Sequence, residues 1–448
     1  MDTTCEVQAT DEPATRQRTL DDALDAAPLS AIQIATFVLC GIVMMIDGYD
    51  LVAMPFAVPY VIAEWGWEAS RFGIALSAVL IGLAIGALFV APFGDRFGRR
   101  PLILIAVALV GLATVGTATA TSIPEFTVWR LLTGLALGAG LANVPAIVSE
   151  LAPKRQRARI LTFVTCGIAI GGGAAGFIVP LLVAGGGWRM IFIGPGAVTI
   201  GIAVLLFFLL PESPKFLLVR GEKERLTELT RRLGLPNASW PVPTTDAKPS
   251  RIPLLAPFGK AHRFASFVFM GLYAVNALIL YMLVSWAPTL LAQSEFPLER
   301  TSQLASLIQI GGLVSGPALS WFLDRGKAAP AMAATYFVIG AALLGFSVVA
   351  PSVLGWGALL LAAGGGVSGT HLAIMALGAT FYPPHMLSSA LGLGVAVARV
   401  GAIAGPMIGS ALLANGATPP VFLASMVIPV AVCSCLAFLI PRVRARRV

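Results

Sequence analysis

The 448 residues are 57% hydrophobic and only 12% charged, with a mean hydropathy of +0.86, whereas a soluble domain carries about a quarter charged residues. That excludes a soluble globular class and predicts an all-α polytopic membrane protein. The formal charge of +8 does not indicate nucleic acid, because the basic residues sit in loops and not in tracts interleaved with exposed aromatics.

Residues 1–30 are acidic and polar, with Asp2, Glu6, Asp11, Glu12, Asp21, Asp22 and Asp25 against Arg16 and Arg18. They lack the basic start and apolar core of a signal peptide and read as a cytoplasmic tail with a short interfacial helix around Leu20–Ala26. Apolar runs of about twenty residues are long enough to cross a bilayer. Twelve follow, six over residues 31–210 and six over residues 264–440. Between them lies a basic, proline-containing linker, 211–263, and a basic tail, 441–448, closes the chain. The expected architecture is twelve transmembrane helices in two six-helix halves.

Charge sets the orientation. The loops after spans two and four carry Arg96, Arg99, Arg100 and Lys154, Arg155, Arg157, Arg159, and the linker and tail add more. The alternate loops are nearly free of Lys and Arg. Basic loops stay inside, so both termini and the linker are expected to be cytoplasmic. Gly94-Asp95-Arg96-Phe97-Gly98-Arg99-Arg100 after span two has a shortened echo after span eight, Asp324-Arg325-Gly326-Lys327. Duplicated halves with the substrate site between them are a common transporter plan.

Span one carries Asp47-Gly48-Tyr49-Asp50 in an otherwise apolar run. The two acids are three residues apart and share a helix face. A carboxylate at membrane depth costs a few kcal/mol or more and normally faces a bundle interior or a water-filled path. At about 1.5 Å per residue they lie roughly 24–28 Å along span one, while Arg130 lies roughly 9 Å into span four from the opposite side. Asp50 and Arg130 are thereby expected at one level, and a buried arginine, which stays charged, needs an anion. Asp47, Asp50 and Arg130 are the candidates for proton coupling. A carboxylate released from the arginine in a dry site takes up a proton; the competing reading is a static interhelical pair.

In the second half Arg399 is expected roughly 20 Å deep on span eleven and His371 roughly 27 Å from the outside on span ten. Span seven contributes Asn276, Tyr281 and Trp286, and Tyr49 lies between the two acids. A cation, aromatic walls and hydrogen-bond donors suit an aromatic carboxylate, and the Arg399 fork can grip a carboxylate with two bonds. Asp95, Arg96, Arg99, Arg100, Glu150, Asp324 and Arg325 are expected to form ion pairs at a cytoplasmic gate. The glycine-rich Gly167–Gly176 run permits close helix approach. The five cysteines are scattered and outline neither a disulfide framework nor a metal site.

The G-D-R-x-G-R-R loop, the twelve spans and Arg130 followed by Gly134 and Gly138 resemble the major facilitator superfamily. Within it, Asp47-Gly48-Tyr49-Asp50, Tyr281 through Pro288, Phe381-Tyr382-Pro383 and Ala398-Arg399-Val400-Gly401 through Gly405-Pro406 resemble the aromatic acid:proton symporters. The chain departs from their pattern at Leu387, where an arginine is usual. The resemblance implies uptake of a benzoate-, hydroxybenzoate-, protocatechuate- or gentisate-like acid with protons, across a bacterial inner membrane. It implies no cofactor beyond the coupling proton, and a monomer suffices. The alternatives are a non-aromatic organic acid such as muconate, an exporter, or a transport-fold chemoreceptor. No nucleophile–base pair, metal cluster or phosphate loop supports an enzyme.

Overall fold

The computed structural model describes residues 19–236, 240, 256–259 and 262–440. Residues 1–18 of the tail, the linker residues Lys248, Arg251 and Lys260, and the terminal arginines from Arg442 onward lie outside the described residues.

Twelve helices are long and apolar enough to cross a bilayer. In the first half they are Ala31–Trp65, Ala69–Val90, Arg99–Thr117, Ile123–Leu151, Arg157–Ala184 and Met190–Leu209. In the second they are Arg263–Gln293, Leu298–Asp324, Ala328–Gly345, Val353–Ala379, Ser389–Ala414 and Pro419–Phe438. They are called spans one to twelve below. Helices suit a bilayer core because each satisfies its own backbone polar groups, which lipid cannot. At the ends, side chains take over. Ser30 and Gln33 form a reciprocal capping box at the start of span one, which satisfies two orphan donors. The Gln33 Nε2 then donates to the Leu151 carbonyl at 2.8 Å, capping the end of span four. Gly66, at φ 68°, stops span one in the left-handed conformation, where glycine carries no Cβ penalty.

Within the first half, span one packs on span five, span two on four, and span three on four and six. The second half repeats this with seven on eleven, eight on ten, and nine on ten and twelve. Glycine makes several of these approaches possible. A Cβ on Gly134 would lie 2.1 Å from the Val79 carbonyl oxygen, and one on Gly138 would lie 2.3 Å from that of Leu83. The two glycines one and two turns beyond Arg130 therefore let span four lie against span two, which fixes the height of the arginine.

The halves meet through spans one and seven, two and eleven, and five and eight. The face carrying the basic loops is called the basic face, and its opposite the far face. Ser302 donates to the Gly176 carbonyl at 3.0 Å, Ser77 to that of Ile403 at 3.0 Å, and Ser410 to that of Ser70. All of these lie toward the far-face ends of their spans. Among the described residues, no hydrogen bond or ion pair joins the halves near the basic face. Among the described residues, side-chain hydrogen bonds close the joint at the far face.

The short helix Leu20–Ala26 is no free tail. Leu20, Ala23 and Leu24 are buried in the same apolar cluster as Leu151, Ala152, Leu217 and Leu218. Its acids reach four neighbours: Asp21 faces Lys215 at 3.3 Å and Arg157 at 3.9 Å, Asp22 faces Lys154 at 3.2 Å, and Asp25 accepts from the Arg155 backbone N–H at 3.2 Å. Residues of the expected tail thus belong to the first half.

Candidate functional site

Span one brings Asp47 and Asp50 to the interior of the first half, where both are buried. Arg130 on span four meets Asp50 at 3.5 Å between Nη1 and Oδ1, with neither side chain exposed. Thr114 on span three donates to the same Asp50 oxygen at 2.9 Å. The remaining arginine nitrogens are held by Thr117: its hydroxyl accepts from Nε at 3.1 Å and from Nη2 at 2.6 Å. The guanidinium also lies 5.1 Å from the centre of the Phe192 ring on span six, a cation–π placement. Four spans therefore converge on one ion pair.

The pair is incompletely bonded. Asp50 Oδ2, Arg130 Nη1 and Asp47 Oδ2 are all buried without a hydrogen-bond partner. Buried polar atoms are nearly always satisfied, and exceptions commonly mark function. Unmet bonds on the acids and the guanidinium leave each able to change partners. The close approach of span five to span one supports the site from behind. A Cβ on Gly48 would lie 2.0 Å from the Ile168 carbonyl oxygen, and one on Gly171 would lie 1.8 Å from that of Met45. Gly48 is used against span five, not merely between the acids. Thr114, Thr117 and Phe192 are absent from the sequence-level expectation. A threonine in an apolar helix carries little signal of its own, though the four-residue offset from Ala113 to Thr117, a one-turn hydrogen bond of 2.9 Å, keeps such a residue cheap in lipid.

In the second half, Arg399 is half-buried and forms no ion pair or hydrogen bond among the described residues. It lies within electrostatic reach of Tyr273 and His371. The His371 and Tyr273 rings are 4.9 Å apart, and Phe269 follows 5.9 Å from Tyr273. An unpaired cation beside three rings is what an aromatic anion requires. Tyr273 escaped the sequence reading, although it stands three residues before Asn276 and so shares its helix face.

Asn276 is committed internally. The hydroxyls of Tyr336 and Thr370 donate to its Oδ1 at 3.0 and 2.8 Å, and its Nδ2 donates to the Val367 carbonyl at 3.2 Å. A carbonyl only accepts, which fixes the amide orientation. The second N–H therefore faces His371 Nδ1, at 3.4 Å. Nδ1 accepts, so the ring proton resides on Nε2. Asn276 thus positions His371 as a donor and has no bond left for a ligand.

Trp286 is fully buried and donates to the Pro406 carbonyl at 3.0 Å. Tyr49 donates to the Ile191 carbonyl at 2.8 Å. Both fasten helices together, because a buried indole or phenol needs a partner for its polar atom. Tyr281 is half-buried.

The basic-face loop forms a real network in the first half. Arg99 pairs with Asp95 at 3.0 Å and Glu150 at 2.9 Å, and donates to Asn143 Oδ1 at 3.2 Å. Glu212, after span six, accepts from the backbone N–H groups of Arg99 and Arg100 at 3.0 and 3.1 Å. Gly98 at φ +107° makes this turn, and a Cβ there would lie 2.4 Å from the Glu212 carboxylate. Glu212 and Asn143 were not expected; the only cue for Glu212 was its place between Pro211 and Pro214. The second-half counterpart is different. Asp324 and Arg325 are exposed, and Arg325 stacks 3.5 Å from the centre of the Trp321 ring. No ion pair among the described residues involves either. With span eight ending at Asp324 and span nine starting at Ala328, the turn is too short to build a network. Leu387, the departure noted above, is packed against the core.

A buried acid–guanidinium pair within one six-helix half, joined to a second half that repeats its packing, is the plan of a membrane transporter. Residues 37–402 match the family model described as Major Facilitator Superfamily. A gallate transporter of Pseudomonas putida is 32% identical over 91% of this chain and 92% of its own. The 4-hydroxybenzoate transporter PcaK of Pseudomonas aeruginosa is 31% identical over 95% of this chain and 96% of its own. Among solved structures, a bacterial homologue of the human lysosomal transporter Spinster, in an inward-facing and unoccupied conformation, superposes with a TM-score of 0.74. It is 15% identical and covers 92% of this chain and 98% of its own. The chain belongs to the Major Facilitator Superfamily, and its relatives include aromatic-acid transporters.

Proposed function

We propose that the protein is a proton-coupled symporter that imports an aromatic carboxylate, of the gallate or hydroxybenzoate type, across a bacterial inner membrane. The observation that carries the proposal is the buried Asp50–Arg130 pair, under-bonded on both sides, with an unengaged Asp47 oxygen one turn away. The near-full-length likeness to gallate and 4-hydroxybenzoate transporters supports the substrate class. So does the unpaired Arg399 beside the His371, Tyr273 and Phe269 rings. The positive-inside rule makes the basic face cytoplasmic, with both termini on that side. The structure then corresponds to the cytoplasm-open state, closed by the far-face seam. A single chain holds both halves of the pathway, so a monomer suffices.

In this mechanism Arg399 grips the carboxylate, His371 Nε2–H donates to the ring substituent or carboxylate, and the aromatic wall takes the ring. A proton reaching Asp50, directly or by way of Asp47, releases Arg130 from its pair. The loaded, charge-compensated site then crosses the midplane as the halves rock about their seam. The test is uptake of radiolabelled 4-hydroxybenzoate into proteoliposomes under an imposed proton gradient. Wild type accumulates the acid, Asp50→Asn loses gradient-driven accumulation, and Arg399→Gln loses binding. Undiminished coupled uptake by Asp50→Asn rules out the coupling mechanism. Uptake confined to aliphatic acids such as muconate rules out the substrate class.

A further inference from the structure

A second site lies away from the transport pathway. A groove of about 1120 Å³ opens on the basic face between the starts of spans one and three, the end of span six, and the linker helices Pro214–Arg220 and Lys223–Arg232. Most of its carboxylates are already engaged. Glu228 pairs with Arg231 at 2.8 Å and Arg232 at 2.7 Å, and Glu222 pairs with Arg225 at 2.9 Å. Glu212 is held by the backbone donors described above. Three lining arginines, Arg96, Arg100 and Arg220, have no acidic partner among the described residues, against a single unpaired lining carboxylate, Glu224.

The three arginines share one construction. Each guanidinium lies over a phenyl ring: Arg96 over Phe97 at 5.3 Å, Arg100 over Phe207 at 5.7 Å, and Arg220 over Phe216 at 5.4 Å. Arg220 donates to the Arg96 carbonyl, tying two of them together. Arg100 donates to the Phe207 carbonyl at 2.6 Å, yet its Nε is buried with no partner. Beside this cationic rim the surface is aromatic and open, with Phe97, Phe207 and Phe208 61%, 58% and 73% exposed. Arginines at helix ends reaching toward the headgroups above exposed apolar rings suit the boundary between headgroup and acyl chain.

We propose that this groove binds one anionic phospholipid, its phosphate at Arg96, Arg100 and Arg220 and its acyl chains along Phe207 and Phe208. Arginine suits phosphate because its planar fork matches the oxygen geometry. The apolar flank demands a tail, which a free anion lacks. A lipid seated there braces span six and the linker against spans one and three.

The experiment uses the full chain purified in neutral detergent, with phosphatidylglycerol or phosphatidylcholine added at equal mole fraction. Bound lipid is counted by native mass spectrometry, and thermal stability is read in parallel. Phosphatidylglycerol is expected to be retained and to stabilise the protein more than phosphatidylcholine. The Arg96→Gln/Arg100→Gln/Arg220→Gln variant is expected to bind it roughly a hundredfold more weakly, from about fivefold per lost cation at the surface. Arg232→Gln, in the same groove but paired with Glu228, keeps the preference. The exposed Arg220→Gln alone gives a partial loss and serves should the triple variant fail to fold. Equal retention of the two lipids, an undiminished preference in the arginine variants, or equal stabilisation by inorganic phosphate overturns the proposal.

Discussion

Replacing Asp50 by Asn leaves an oxygen for the Thr114 hydroxyl but removes the charge that faces Arg130. At 3.5 Å and an effective dielectric near 20, that attraction is worth about 5 kcal/mol. Most of it offsets the cost of keeping both charges out of water, so the pair as a whole adds little. Removing one member is another matter, because it leaves a buried, uncompensated cation, at a cost of about 3–5 kcal/mol. Thr117 and the Phe192 ring reduce that cost without supplying an anion. Asp50→Asn should therefore lower the thermal midpoint in detergent by roughly 10 °C, taking a few degrees per kcal/mol for a unit the size of one half. Arg130→Gln should do the same. The double variant Asp50→Asn/Arg130→Gln should recover at least about half of either loss, so the coupling energy, the double loss less the sum of the two single losses, should be at least about 4 kcal/mol in magnitude. A double variant whose loss equals the sum of the two single losses refutes the claim that the two charges answer each other. Singles as stable as wild type refute the claim that the site is dry.

Two further outcomes follow from the packing and from the docked N-terminal helix. Gly171→Ala places a Cβ 1.8 Å from the Met45 carbonyl oxygen and forces spans one and five apart, so it should cost about 1–3 kcal/mol and impair uptake, whereas Gly41→Ala, on span one with open space around it, should leave both unchanged; equal behaviour of the two in a thermal-shift and uptake assay refutes the close-approach reading. Asp22 bonds with the Thr19 side chain and backbone, and then with Lys154, and these hold its carboxyl at about 2, below the ordinary 3.8. Its pKa is depressed first by the Thr19 cap and then by the docked Lys154, so its contribution is present above about pH 4 and is lost as the pH falls toward about 2. Hydrogen exchange of residues 20–26 should accordingly be flat from about pH 5 to 8 after correction for intrinsic rates, rise in Asp22→Asn, and rise with salt because exposed pairs are screened. Exchange insensitive to both Asp22→Asn and salt refutes the electrostatic latch.

The first-half basic-face loop shows how far motif and geometry agree. Asp95, Arg99 and Glu150 meet as the charges suggested, because a loop motif of fixed spacing sets most of its own contacts. Glu212 completes the network from more than a hundred residues away, and no local pattern announces such a partner. Asp324 and Arg325 echo the motif in sequence but build nothing comparable, since two or three residues of turn cannot bring the partners round. Asn276 and Trp286 are similar cases. Their chemistry as donors was legible, but whether each donor faced a ligand or a neighbouring carbonyl depended on which helix lay opposite.

By itself the sequence determined what lipid and charge dictate: twelve spans, their grouping into six and six, the basic side, and the need of two buried acids and a buried guanidinium for company. Those follow from solvation, which acts on each segment almost independently of the others. Tertiary structure alone decided which atoms meet. It chose Asp50 over Asp47 for Arg130, recruited Thr114, Thr117 and Phe192, locked His371 through Asn276, and closed the seam at the far face. These are outcomes of helix rotation and of approach distances set by glycines such as Gly134 and Gly171. A rotation of one residue, about 100°, would turn a side chain from the pathway into lipid without altering any segment's hydrophobicity.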